Sequence, residues 1–241
     1  MTITSHFIPN DSDYRPLTAS QLMELSSGRV DIREARPGTN HFAVHRELRN
    51  FSGQCVLTFN GTGNFIYLDQ NCPLTGSISF DGDNARAYVF GGMPHLNLDV
   101  TVYGEGRFIW GFNTVAFGVR AWVHGGASLS VGADGLWSEG IEIRTSDHHS
   151  IIDLTTGLLV NPAKDILIGR RVWVGAGVKI MKGISIGDGS IVGIGSLVTK
   201  KIGSNELWAG FPAQKMKDNV SWLGSFPSDI RDIKRLQAGD I

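Results

Sequence analysis

The sequence predicts a mainly β protein built as a parallel β-helix, a coil of short strands stacked turn upon turn. Three observations predict it. First, Ile168, Val174, Ile180, Ile186, Val192 and Val198 are six residues apart and all aliphatic. An α-helix turns about 100° per residue, so positions six apart share no common face, and a helix cannot explain the pattern. Second, glycine supplies 31 of 241 residues, against an average of about 7%, and it directly follows the repeated aliphatic residue at 169, 175, 187 and 193. Third, Phe59-Asn60-Gly61, Phe80-Asp81-Gly82, Tyr103-Gly104 and His124-Gly125 each close a β-rich run at spacings of 21 to 23 residues. A long fixed period implies stacked units, none of which buries its apolar face alone. In such a coil each hexapeptide gives one strand and one corner, and three close a triangular turn. Glycine at the corner is expected to supply a conformation that side chains resist.

The elements follow in chain order. Residues 1–49 read as an N-terminal appendage, in which Thr18 and Gln21 form a capping box that starts a short helix ended by Ser26-Ser27-Gly28. Residues 50–118 read as an irregular upper coil with Gly, Asp and Asn as punctuation. Residues 119–203 form the hexapeptide coil, because Val119, Gly125, Val131, Trp137 and Ile143 carry the same six-residue phase. The step from Ile143 to Ile168 is 25 residues and breaks that phase, so a loop is expected at 150–162. A loop interrupting a regular solenoid is where function tends to be placed. Residues 204–241 form a C-terminal segment ending in a helix over Pro227–Gln237, expected to cover the open end of the coil.

Bulk properties exclude several classes. A formal net charge of −1 gives no electrostatic case for nucleic acid or an anionic membrane as main partner. Cys55 and Cys72 make neither a disulfide framework nor zinc-site spacing. The first residues lack a basic segment followed by an apolar run, and no stretch is long enough to cross a bilayer, so a cytoplasmic protein is expected.

Three blocks carry a resemblance to a known family: IRTSDHHSI at Ile143–Ile151, the run from Val160 to Lys201, and LWAGFPAQKMKDNVSW at Leu207–Trp222. Together they resemble the hexapeptide-repeat, left-handed β-helix acyltransferases, and the first two are similar to bacterial polysaccharide O-acetyltransferases of the polysialic acid type. The resemblance implies a left-handed coil, a homotrimer with active sites between neighbouring subunits, and acetyl-CoA as donor. It also implies a saccharide hydroxyl, on a capsular or cell-surface polysaccharide or its precursor, as acceptor.

Acetyl transfer from a thioester to an alcohol needs a base for the hydroxyl proton and a slot for the pantetheine arm. Histidine can be that base near neutral pH, but the chain has seven histidines and spacing alone does not choose among them. The family motif matches Asp147-His148-His149-Ser150-Ile151 and implies His149 as general base, with Asp147 orienting the imidazole or a substrate hydroxyl. A register shift of one would exchange His148 and His149. His148 is a candidate acceptor contact or merely exposed, and Trp137 a candidate lining of the acceptor cleft. The resemblance puts Trp173 at the donor groove, walling the thioester or donating its indole N–H. It also puts Ala176 and Ile194 along the pantetheine, Thr199 and Lys200 near the nucleotide end, and Lys217 on phosphate. Gln214 stands where relatives carry a basic residue, which favours Lys217 over that position. No Ser or Cys nucleophile is singled out, so direct attack without an acyl-enzyme is expected.

Other readings share the coil. A metal enzyme of the γ-carbonic anhydrase type needs two close histidines and a distant third; adjacent His148 and His149 point apart on a strand, so no metal is expected. A non-catalytic scaffold would not require His149, Trp173 and the CoA-type tail together. Xenobiotic and amino-sugar N-acetyltransferases use the same donor machinery, and only acceptor turnover separates them.

Overall fold

The structure, a computed structural model, describes residues 13–48, 51–69, 72–92, 94–224 and 229–239. The chain is a β-solenoid of about eight turns. One narrow sheet runs its length through Tyr14–Leu17, His41–His45, Phe65–Leu68, Arg86–Val89, Arg107–Trp110, Ser128–Val131, Ile166–Ile168 and Ser185–Ile186. A broad sheet faces it through Val30–Glu34, Cys55–Phe59, Leu74–Asp81, Leu96–Tyr103 and Val115–Val123. The stacking is parallel except at the two ends. Tyr14–Leu17 pairs antiparallel with His41–His45, and Leu207–Gly210 pairs antiparallel with Ala213–Lys217.

The broad sheet then divides in two. Val115–Val123 pairs with Leu136–Trp137 through its first residues and with Ile141–Arg144 through its later ones, and its register shifts between Ala116 and Val119. The bulge at Phe117-Gly118 turns one flat face into two, as bulges bend strands. Beyond it the cross-section is triangular. The second face holds Leu136–Trp137, Trp173–Val174, Ile191–Val192 and Leu207–Gly210; the third holds Ile141–Arg144, Lys179–Ile180 and Leu197–Val198.

The six-residue pattern is the core of this triangular part. Ile168, Val174, Ile180, Ile186, Val192 and Val198 are all buried and form one cluster with Val131, Trp137 and Ile143. The 21-residue recurrence is also real. Phe59 is the register partner of Phe80, and their rings stack at 4.6 Å. Tyr103 pairs with Asp81, one residue past the Phe80–Val102 pair, so it points outward.

The structure corrects several expectations. Residues 1–49 are not wholly an appendage: Val30–Glu34 and His41–His45 are parallel neighbours of Cys55–Phe59 and Phe65–Leu68. Their hydrophobic runs are too short and sparse to show a period. The predicted capping box is present, with Gln21 N donating to Thr18 Oγ1 at 3.2 Å and Thr18 N to Gln21 Oε1 at 2.9 Å. That helix, Ala19–Leu25, inserts Leu22 into the core at the N-terminal end of the coil. The C-terminal helix, Ile230–Ala238, has no buried residue. It flanks the coil beside Arg170 and Arg171, whereas the antiparallel hairpin Leu207–Lys217 covers the last turn of the second face. Pro227, the predicted first residue of that helix, and residues 1–12 with His6 lie outside the described residues.

The corner glycines also act differently from expectation. Gly175 does not have positive φ; a Cβ there would lie 2.7 Å from the backbone N of Ile194 in the next turn. Glycine after the core aliphatic residue is therefore demanded by close approach of successive corners. The left-handed corner conformation falls two residues later, at Gly177 with φ +68°.

Candidate active site

The strand Ile141–Arg144 ends at Thr145 and Ser146, both buried. Thr145 Oγ1 accepts the backbone N–H of His124 at 2.8 Å and ties this corner to the turn below. The chain then leaves the coil. His148 has φ +61°, a conformation that costs most side chains energy and therefore needs support from its surroundings. The excursion returns at Asn161, with Ile152 and Leu159 forming an antiparallel bridge inside it. Asp153 Oδ1 accepts the N–H groups of Thr155 and Thr156 at 2.8 and 2.9 Å and shapes the tip. The arm exposes Ile151, Leu154, Leu158 and Val160.

Asn161 closes this loop at its base. Its amide nitrogen donates to Asp147 Oδ2 at 2.8 Å and to the carbonyl of His149 at 2.9 Å, while its Oδ1 accepts from Ile151 N at 2.7 Å. Lys182, from the corner of the next turn, donates to Asp147 Oδ2 and, at 3.0 Å, to the Asn161 carbonyl. The hydrogen bond from Lys182, then that from Asn161, hold the Asp147 carboxyl below its ordinary range. Asp147 is therefore an anion that fixes the corner.

His148 and His149 differ in surroundings. His149 is exposed. The His148 ring packs edge-on against Tyr103 at 5.6 Å, Trp122 at 6.3 Å and His124 at 6.3 Å, and its buried Nε2 has no hydrogen-bond partner among the described residues. Burial, reinforced by Arg144 and the neighbouring histidines, pushes its imidazole pKa down. The exposed reading of His148 is thus corrected. The wedge it makes among three aromatic rings supports its backbone conformation and turns the next residue, His149, outward.

Trp173 lies on the second face, 40% exposed, between Leu136 and Ile191 in register. Trp222 stands 6.4 Å from it and is anchored to Arg171, donating from Nε1 to the Arg171 carbonyl at 2.7 Å while the guanidinium lies over its ring. Ala176 and the exposed Ile194 sit one turn apart, in the register that pairs Trp173 with Ile191. Thr199, Lys200 and Lys217 are exposed, and neither lysine forms an ion pair among the described residues. Lys215, by contrast, is held by Glu206 at 3.3 Å and Asp218 at 2.9 Å.

Trp137 does not line a cleft. Its side chain is fully buried, edge-on to Trp110 at 5.1 Å, because it occupies the inward six-residue phase. Its Nε1 has no hydrogen-bond partner among the described residues. Nor does one chain bring His149 and Trp173 together. His149 follows the third face and Trp173 opens the second, with the narrow-sheet strand Ile166–Ile168 between them.

Sequence reasoning did not single out Asn161, Lys182, Trp122 or Arg144. For Trp122 and Arg144 the signal was available: alternation with the buried Ala121 and Ile143 places both outside. Asn161 and Lys182 left no pattern, because they meet across 21 residues through loop geometry. Among the described residues no group of three His, Cys, Asp or Glu side chains could hold a metal ion, and no helix is long and apolar enough to cross a membrane.

Comparison with known proteins gives the same picture of the coil. Residues 165–200 match the model of the bacterial transferase hexapeptide family (six repeats). The chain is 44% identical over 109 residues to a polysialic acid O-acetyltransferase of Escherichia coli O1:K1 / APEC, covering 45% of this chain and 36% of that protein. It is 29% identical over 125 residues to the polysialic acid O-acetyltransferase of Neisseria meningitidis, covering 52% and 58%. These matches span about a third and somewhat over half of the relatives' lengths. Among solved structures, the polySia-specific acetyltransferase NeuO superposes with a TM-score of 0.75 at 28% identity, covering 88% of this chain and 96% of that one. The polysialic acid O-acetyltransferase OatWY superposes at 0.61 with 23% identity over 87% and 95%, a likeness of fold. The chain thus resembles hexapeptide-repeat acetyltransferases along nearly all of its length.

Proposed function

We propose that the chain is an O-acetyltransferase that moves the acetyl group of acetyl-CoA to a hydroxyl of a polysaccharide, with His149 as general base. The observation that carries this reading is the corner at 147–149. An exposed histidine stands there on a backbone pinned by Asn161, next to a carboxylate neutralised by Lys182. The similarity to two polysialic acid O-acetyltransferases supports a saccharide acceptor.

In this mechanism the His149 imidazole takes the acceptor hydroxyl proton as the oxygen attacks the thioester carbonyl. The C–S bond then breaks, and the imidazolium returns its proton to the CoA thiolate. Trp173 walls the thioester, Ala176 and Ile194 flank the pantetheine, and Thr199, Lys200 and Lys217 meet the nucleotide end. Because His149 and Trp173 stand at different edges of one prism, the complete site is assembled between neighbours in a homotrimer. The apolar arm Ile151–Val160 lies at the same edge as His149 and is suited to packing on a neighbour. A cytoplasmic location accords with the donor.

The test is thiol release from acetyl-CoA with a panel of cell-surface glycans, for wild type and His149→Ala. Glycan-dependent release that collapses in the variant, with CoA binding intact, is the expected result. Turnover surviving in His149→Ala sinks the assigned role and moves it to His148. Absence of both release and CoA binding favours a scaffold.

A further inference from the structure

The third face carries a feature the acetyl-transfer reading does not use. Register stacks the outward residues Thr101, Trp122 and Arg144 in one row across three turns. The Arg144 guanidinium carbon lies over the Trp122 ring, 4.0 Å from its centroid. Tyr103, His124 and His148 fill the adjacent row, with Tyr103 and His124 at 5.5 Å.

Neighbouring cations on this face are neutralised. Arg120 pairs with Asp99 at 3.0 Å, Lys179 with Glu142 at 3.9 Å, and Lys182 with Asp147. Arg144 has no carboxylate partner among the described residues, although it is half-buried. A half-buried, oriented guanidinium presents a planar fork of donors that matches an anion with two oxygens, and its aromatic surroundings strengthen the attraction by excluding water. Trp122 also touches the His148 ring, so an anion seated on Arg144 lies beside the corner that carries His149.

We infer that Arg144 on Trp122 is a carboxylate-binding subsite that reads an acidic sugar of the acceptor, and that Tyr103 and His124 are the rim against which its ring rests. The word acceptor rests on the acetyl-transfer reading; the anion site does not. Phosphate could satisfy the same fork, but the aromatic rim favours a pyranose carrying its carboxylate, and Lys200 and Lys217 supply exposed cations elsewhere that have no ion-pair partner among the described residues.

The experiment is a calorimetric titration of the full chain with a sialic acid oligomer, its carboxyl-reduced counterpart and inorganic phosphate. Wild type, Arg144→Gln, Arg144→Lys and, as control, Arg120→Gln are compared, each checked for an unchanged melting temperature. Wild type is expected to prefer the carboxylated oligomer by about tenfold, the worth of one charge-assisted hydrogen-bonded pair. Arg144→Gln erases that preference, Arg144→Lys keeps part of it, and Arg120→Gln keeps all of it. Equal binding of both oligomers by wild type overturns the proposal, as does a preference that survives in Arg144→Gln. Displacement by phosphate with no carboxylate preference reassigns the site to phosphate and overturns it too. Should the preference hold while no acceptor releases thiol, the subsite stands and the acetyl-transfer reading fails.

Discussion

The side-chain amide of Asn161 donates to the carbonyl oxygen of His149 at 2.9 Å. One residue thereby spans the mouth of the 150–160 excursion and fixes the backbone that presents the proposed base. Lys182 completes the clamp from the next turn. Loss of the clamp should misplace the imidazole without touching the donor groove. Asn161→Ala and Lys182→Met are each expected to lower kcat by about ten- to a hundredfold, the usual effect of displacing a catalytic group by about an ångström. KM for acetyl-CoA should stay within about twofold of wild type. Asn161→Asp should not rescue, since a carboxylate cannot donate to the His149 carbonyl and repels Asp147. Steady-state kinetics on the three variants decides, and a rise confined to KM would show that Asn161 acts on binding instead.

His148 gives a pH dependence whose sign follows from its burial. Its folded pKa lies below the unfolded value of about 6.5. As pH falls through 6.5 the unfolded chain binds the proton first, so stability present above that pH is lost on acidification. His148→Phe keeps a ring among Tyr103, Trp122 and His124 but cannot titrate. Urea midpoints measured between about pH 5 and pH 7 should fall less steeply for His148→Phe than for wild type. Parallel slopes would mean that the ring reaches water and protonates freely.

Much of the fold was legible because a coil turn of fixed length writes itself into the sequence. The six aliphatic residues from Ile168 to Val198 are each inward, and the run could hardly be read otherwise. Val30–Glu34 and His41–His45 were not legible as coil, since two short strands at the start of a solenoid show no period of their own. Trp137 is the instructive failure. Its six-residue phase places it inside, where it cannot line a cleft, whereas Trp122 alternates outward on the neighbouring strand. The histidine motif located the corner, but the clamp depends on loop closure between Asp147, Asn161 and Lys182, which no local pattern encodes.

The two kinds of corner glycine should separate by experiment. A methyl at Gly175 meets the Ile194 backbone at 2.7 Å, and backbone within a stacked coil cannot yield locally. A methyl at Gly177 meets only the Cα of Gly195 at 3.9 Å, so its cost is conformational, from φ +68°. Gly177→Ala should cost about 1–2 kcal/mol, and Gly177→Asn less, because Asn tolerates that conformation. Gly175→Ala should cost more, about 1–3 kcal/mol from overpacking alone, with Gly175→Asn worse still. Denaturant titration of the four variants checks the order, and relief of Gly175 by Asn would contradict the close-approach account.

The separation of His149 and Trp173 within one chain makes complementation possible. His149 leaves the prism at the edge before Ile166–Ile168, and Trp173 stands beyond the edge after it. If a site takes its histidine from one subunit and its tryptophan from the next, His149→Ala and Trp173→Ala homotrimers are each impaired. Every mixed trimer, however, contains one interface with both residues intact. Random assortment of equal amounts gives about a quarter of interfaces complete, so co-expressed chains should recover roughly that fraction of wild-type activity. Mixing folded homotrimers without subunit exchange should recover none. Were both residues drawn from one chain, no mixed assembly would hold a complete site, and co-expression would leave activity at the level of the single variants.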